Sequence, residues 1–245
     1  ERDFLEACKL QYDAWKNITK ALEIAYRTNW SIALSDGLNR LAKIYREINR
    51  LESFEEIIIK QSNGNAAFSE LKQLALNFEL PLEITYRSKL LVQNNFAELD
   101  WLGKALRLFD VSSLVAIEAS HFHRALESLT ELAGLLVEIG NVELVPVAMR
   151  RIEYLKNYDY EEKLFSAIVE IIRGDLAFNN NELNIALQIY GSAYRQVAQQ
   201  DGYAVYQLRD RLHDLDWRMQ KLSPATILEW CNFFLKEWED VIDQR

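Results

Sequence analysis

The sequence predicts an all-α fold in which antiparallel helix pairs stack into a solenoid. Apolar residues recur at helical spacing along almost the whole chain, with no convincing strand between them. Only eight Gly and three Pro occur in 245 residues, fewer than turn-rich β folds or Gly-rich nucleotide folds need. A spacing of small and bulky residues also recurs, most clearly as Gly174, Ala186, Tyr190 and Ala193. It describes two antiparallel helices so close that only Gly or Ala fits where they touch. Such an array needs no single large core, because each pair contacts only its neighbours. The length by itself suits one large domain or two small ones.

The elements follow in order. Helices are expected near 3–9 and 11–28, the second carrying Ala14, Ile18 and Ala21. The next, near 31–49, places Leu34, Leu38, Leu41, Ala42, Tyr45 and Ile48 on one face. A helix near 53–62 takes in Ile57, Ile58 and Ile59, a β-branched run inside a Glu/Lys-flanked segment of helical period. Pro81 separates helices near 66–78 and 82–93. Helices near 95–109 and 113–139 follow. The second carries the stripe Leu126, Leu129, Leu132, Ala133, Leu136 and Ile139 and closes at Gly140-Asn141, where Gly takes the left-handed conformation. Pro146 is tolerated near the start of a helix at 143–157. Asn179, Asn180 and Asn181 end a helix near 160–178 and precede one near 182–200. The last helices lie near 203–221 and 224–243, the latter opened by Ser223 as N-cap with Pro224 in its first turn. Trp230, Phe233, Phe234 and Trp238 give that helix one aromatic face, which reads as a cap on the preceding pair or as a docking face.

Further copies of the spacing start at Ala42 (with Phe54 and Ile58), Thr85 (Ala97, Trp101), Ala133 (Val145, Met149) and Leu215 (Ile227, Cys231). Ala14, Ile18 and Ala21 match only the second helix of a unit whose first would lie near Arg2. The pattern resembles the tetratricopeptide repeat over nearly the whole chain. The usual repeat is about 34 residues; starts in the low forties are similar to the longer-helix variants of kinesin light chains and of sensor regions in STAND-type signalling ATPases. Arg173, Ala177 and Phe54 depart from the family pattern, which wants apolar, aromatic and Ala residues there. HEAT-like pairs or an irregular helical bundle remain alternatives. The resemblance implies about five units in one repeat domain spanning 1–245. The half-unit at the start, and Glu1 in place of Met, suggest a piece of a longer protein whose N-terminal part is missing.

The formal net charge of −9 disfavours nucleic-acid binding, which calls for a basic stripe. No apolar run of membrane-spanning length and no signal peptide is present. Cys8 and Cys231 lie at opposite ends and suit a reducing cytoplasm. No Gly-rich phosphate loop, C-x-x-C or H-E-x-x-H occurs. His121 and His123 are two apart, which aims them in nearly opposite directions on a helix, so they do not share a metal. His213, Asp214 and Asp216 cluster on one helix without a nucleophile, and adjacent carboxylates such as Glu55-Glu56 read as solvated faces. No catalytic, cofactor or metal site is therefore expected.

The first helix of each pair lines the groove of a solenoid. Faces turned away from the apolar stripes give the candidate binding residues Asn39, Lys43, Arg46, Tyr86, Lys89, Asp175 and Asn179, with Glu127, Thr130 and Glu138 between them. Arg46, Lys43 and Lys89 suit an acidic ligand. Trp30 sits in a turn, either covering a junction or exposed for binding. The resemblance implies a non-enzymatic module that holds a protein or peptide segment in the groove, as the sensor or C-terminal part of a larger regulatory protein. The alternative is a structural spacer or oligomerisation segment.

Overall fold

The computed structural model describes residues 2–58, 66–88, 95–155, 158 and 162–197. Among these the chain is all-helical, without a strand. The helices are α1 (Arg2–Arg27), α2 (Ser31–Ile58), α3 (Ala66–Leu76), α4 (Leu82–Thr85), α5 (Trp101–Glu118), α6 (Phe122–Glu138), α7 (Val145–Leu155), α8 (Glu162–Asn179) and α9 (Leu183–Val197). Short 3-10 turns lie at Phe96–Glu98 and Val142–Leu144. The contacts divide the chain into two compact units, Glu1–Leu135 and Leu136–Arg245. The expected helices near 203–221 and 224–243 lie outside the described residues, as do the copy at Leu215, Ile227 and Cys231 and the cluster at His213, Asp214 and Asp216.

Three helix–helix connections are built alike. At Thr28-Asn29-Trp30 the amide of Trp30 donates to the carbonyl of Ala25 at 2.9 Å, and that of Asn29 to Tyr26 at 3.2 Å. At Ala119-Ser120-His121 the same two bonds run from His121 to Ala116 (2.8 Å) and from Ser120 to Ile117 (2.9 Å). At Asn180-Asn181-Glu182 they run from Glu182 to Ala177 (2.9 Å) and from Asn181 to Phe178 (3.1 Å). Each middle residue is left-handed, with φ of 52°, 59° and 68° at Asn29, Ser120 and Asn181. Together these satisfy carbonyls that the ending helix leaves orphaned. The carbonyl of the third residue then accepts the first bond of the next helix, from Leu34, Ala125 and Ala186 respectively. Three residues thus close one helix and open the next, which makes hairpins of α1–α2, α5–α6 and α8–α9. Gly140, with φ of 76°, closes α6 by the same bonds.

Within the first unit α2 packs on α1 and, most extensively, on α5; α3 packs on α1. Tyr45 of α2 is fully buried at their meeting point. Its ring meets Trp15 edge-on at 5.4 Å and stacks on Trp101 at 6.0 Å, and its hydroxyl donates to the carbonyl of Ala75 at 3.1 Å. Burial holds the phenol pKa above its ordinary value. Helix α5 is buried on nearly every side from Lys104 to Ser113. At Gly37 α2 lies close against α1: an added Cβ would lie 2.6 Å from Cδ2 of Leu22.

In the second unit α8 packs along α9. The spacing at Gly174, Ala186, Tyr190 and Ala193 does what it predicts. All four residues are buried, and a Cβ on Gly174 would lie 2.5 Å from Cδ1 and 2.9 Å from Cζ of Tyr190. The Tyr190 hydroxyl donates to Asp175 Oδ1 at 2.6 Å. Arg173, the departure from the family pattern, points outward and pairs with Glu170 at 2.7 Å.

Other copies of the spacing fall differently. Ala42, Phe54 and Ile58 all lie on the single helix α2, because nothing between Asn49 and Ser53 breaks it. Likewise α1 runs unbroken through the expected gap at Leu10, and its buried residues are Cys8, Trp15, Leu22 and Ala25, while Ala21 is exposed. Alanine fits either face of a helix, so a stripe of it marks neither. Thr85 ends the four-residue α4, Ala97 lies exposed in a 3-10 turn and Trp101 begins α5, so that copy is not a helix pair. The expected break between 109 and 113 falls instead at 119–121. Ser112 and Ser113 stay helical because the Ser112 hydroxyl donates to the Ser35 carbonyl at 2.8 Å and that of Ser113 to Asp110 at 2.7 Å.

Gly174→Ala is expected to destabilise the second unit by about 1–3 kcal/mol, although alanine is the better helix former by about 1 kcal/mol. The bulkier Gly174→Leu does more damage. Urea denaturation followed by circular dichroism checks both, and unchanged midpoints would refute the close approach. The double variant Gly174→Ala/Tyr190→Leu recovers part of the loss.

Candidate functional site

Asn39, Lys43 and Arg46 share one face of α2, as their spacing of four and three requires. That face is turned to α6. Asn39 is buried, and its amide donates to the Ser128 hydroxyl at 2.8 Å. Lys43 pairs with Glu127 at 3.0 Å and with Glu131 at 3.4 Å, and Arg46 reaches Glu131 at 3.4 Å. Arg124 joins Glu127 at 2.8 Å and Asp36 at 3.4 Å. Beneath these charges Ser128 bonds Ser112 at 2.9 Å, and the Ser35 hydroxyl donates to the Ser112 carbonyl at 3.0 Å. The three expected binding residues thus belong to a polar seam that joins α2, α5 and α6.

The remaining expected residues are spread out. Tyr86 is exposed at the end of α4, and Lys89 lies outside the described residues. In the second unit Asp175 accepts from Tyr190, and Asn179 is exposed at the last position of α8. Thr130 is buried and bonds the Leu126 carbonyl. Trp30 is exposed.

A cavity of about 620 Å³ lies in the first unit, within the size range of ligand pockets. One wall is the heptad stripe Trp15, Thr19, Leu22 and Tyr26 of α1. Phe78, Pro81 and Ile84 face it from the chain between α3 and α4 and from α4 itself. Two tyrosines of α1 hold the opposite wall. The Tyr12 hydroxyl donates to Glu70 of α3 at 2.6 Å, and the Tyr26 hydroxyl donates to Glu83 of α4. That bond holds the Glu83 carboxyl below its ordinary pKa. Trp15 also meets Phe78 edge-on at 5.3 Å, so the cavity wall is continuous with the packing around Tyr45. The stripe is legible at three- and four-residue steps in the sequence; its partners, forty or more residues on, are not.

One buried cation stands apart. Lys104 is fully buried on α5, and its Nζ has no hydrogen-bond partner among the described residues. It lies 5.4 Å from the Trp101 ring centroid and 5.7 Å from those of Tyr45 and Phe96, within cation–π range. Burial lowers its pKa. Among the described residues no group of three His, Cys, Asp or Glu side chains forms a metal cluster, and no helix is long and apolar enough to cross a membrane.

Lys104→Met keeps the volume and removes the buried charge, so a gain of about 1–2 kcal/mol at pH 7 is expected. The folded state holds the Lys104 proton less tightly than the unfolded chain. The parent therefore gains stability as pH climbs from the lowered value toward the ordinary one near 10.4, and the variant's advantage shrinks between pH 7 and 10. Urea titrations at both pH values check this; a constant gap would refute it. Lys43→Glu/Arg46→Glu places four carboxylates together at the seam and is expected to cost about 3–5 kcal/mol. Adding Glu127→Lys/Glu131→Lys to that variant restores most of the loss, read from the same midpoints.

Comparison with models of known protein families, with curated proteins and with solved structures gives no match for this chain.

Proposed function

We propose that this chain is a non-enzymatic binding module that holds a segment of another protein, acting as the recognition part of a larger regulatory protein in the cytoplasm. Its helices would form an array of antiparallel pairs similar to long tetratricopeptide repeats, and the three identically closed hairpins support that reading. The observation that carries the function is the cavity between α1 and the Phe78–Ile84 stretch. It offers aromatic and aliphatic walls to an apolar side chain, and the hydroxyl of Thr19 on its α1 wall is already committed to the Trp15 carbonyl at 2.9 Å. A peptide anchored by one or two apolar side chains gains most from such a site, as in groove recognition of helical segments.

The second reading, a spacer or self-association segment, has its own observation. The flank of α1 opposite its buried stripe leaves Leu10 62 % and Ile24 52 % exposed. Concentration-dependent association in sedimentation, abolished by Leu10→Glu/Ile24→Glu, would favour it.

Thr19→Trp separates the two. The indole narrows the cavity from its α1 wall without touching the polar seam, so helicity and melting temperature should stay near those of the parent. Peptides selected from a displayed library on the parent are expected to lose at least about tenfold in affinity for this variant, roughly the 1.4 kcal/mol that burying one apolar anchor supplies. Peptides that bind both proteins equally would sink the cavity as the site.

A further inference from the structure

The charges around the cavity narrow the kind of segment it takes. Glu23 and Glu79 line it against a single basic residue, Lys20. Glu83, which accepts from the Tyr26 hydroxyl, adds a third carboxylate beside Ile84. Arg27 answers Glu23 at 2.5 Å; Glu79 and Glu83 stand on the opposite wall, beyond its pairing with Glu23. Two helices also end at the cavity. Tyr26 lies in the last turn of α1 and Leu74 in the last turn of α3, and both line it. A helix C-terminus presents carbonyls with a partial negative charge. In α1 Arg27 sits in that turn to compensate; the last turn of α3 has no basic residue. The carbonyl end of α3 therefore adds to the field of Glu79 and Glu83. Apolar surface continues outward beside it, with Leu76 50 % and Leu82 61 % exposed.

We propose that the partner is a basic amphipathic helix. Its apolar side chain enters the cavity against Thr19, Leu74 and Ile84, its apolar face covers Leu76 and Leu82, and a flanking Lys or Arg meets Glu79, Glu83 and the carbonyl end of α3. This rests on the binding-module reading above and adds the charge of the partner to it. Electrostatic complementarity at a rim sets partner choice and association rate more than total affinity, and it weakens with salt.

The test uses three fluorescein-labelled peptides with one shared Leu/Phe face and polar positions filled by Lys, Gln or Glu. Each is titrated by anisotropy against the parent, Thr19→Trp, Glu79→Lys/Glu83→Lys, and Glu143→Lys/Glu153→Lys. The last makes the same charge change at exposed positions of the second unit. The Lys peptide is expected to bind the parent about tenfold tighter than the Gln peptide in low salt, with the Glu peptide weakest and the spread shrinking in high salt. The preference should vanish in Glu79→Lys/Glu83→Lys and persist in Glu143→Lys/Glu153→Lys. If all three peptides bind alike but lose affinity for Thr19→Trp, the basic partner is overturned and the cavity stands. A Lys preference that survives in Glu79→Lys/Glu83→Lys also overturns it, because net charge alone then explains the attraction. If no peptide distinguishes the parent from Thr19→Trp, the binding site itself falls.

Discussion

The placement of Tyr45 is the constraint on which the first unit depends. A phenol taken wholly out of water needs an acceptor, and it finds one in the backbone carbonyl of Ala75, thirty residues along the chain. Fixing that bond sets the distance of α3 from α2. The ring then fixes Trp15 on one side and Trp101 on the other. Edge-on and stacked aromatic pairs add directionality to area burial, which by itself would let these helices slide. Trp101 is held in turn by its indole N–H, which donates to Glu52 at 2.8 Å. Four helices are thus positioned from one side chain. The cavity inherits that rigidity because Trp15 belongs both to the Tyr45 cluster and to the cavity wall.

How much of this the sequence tells depends on whether the cause is local. Helix type is local: periodic apolar spacing gave most helices, and Gly140-Asn141 and Asn179–Asn181 marked true ends. The Gly174–Tyr190 contact was also legible, because both partners lie within one hairpin and one of them has no side chain. The breaks were misplaced where a residue's meaning depends on a distant partner. Ser112 looks like a helix-breaker until Ser35, 77 residues away, accepts its proton. Ser120 looks ordinary, yet it carries the left-handed turn. The expected groove residues show the same limit. Lys43 and Arg46 do lie on the face away from the stripe of α2, but the sequence alone does not reveal that α6 brings Glu127 and Glu131 against that face.

The polar seam and the cavity occupy different faces of α2, and their roles differ. Ser35, Ser112 and Ser128 are small enough to let three helices approach closely, and their hydroxyls satisfy one another. Ion pairs cover the seam's outer edge. Such a network contributes little net stability over an apolar contact, but it penalises any register that separates the charges. It serves to fix α6 against α2. Its cations already have intramolecular partners, so an acidic ligand would have to displace Glu127 and Glu131 and repeat their desolvation. The seam is therefore a poor recognition surface, though it is rich in charge.

The cavity has the opposite physics. Its walls are apolar, so a guest side chain displaces water without breaking a protein hydrogen bond, and its carboxylates stand at the rim, where they keep most of their hydration. Tyr12 and Tyr26 tie α3 and α4 across α1 at positions 14 residues apart, so the opening is braced at both ends before any partner arrives. A braced pocket loses little conformational entropy on binding. It also cannot widen cheaply, because widening breaks the Tyr26–Glu83 bond and exposes Phe78 to water. If the cavity is a recognition site as proposed, the fold that Tyr45 organises would present a braced apolar opening, and discrimination among partners would rest on the charges that surround it.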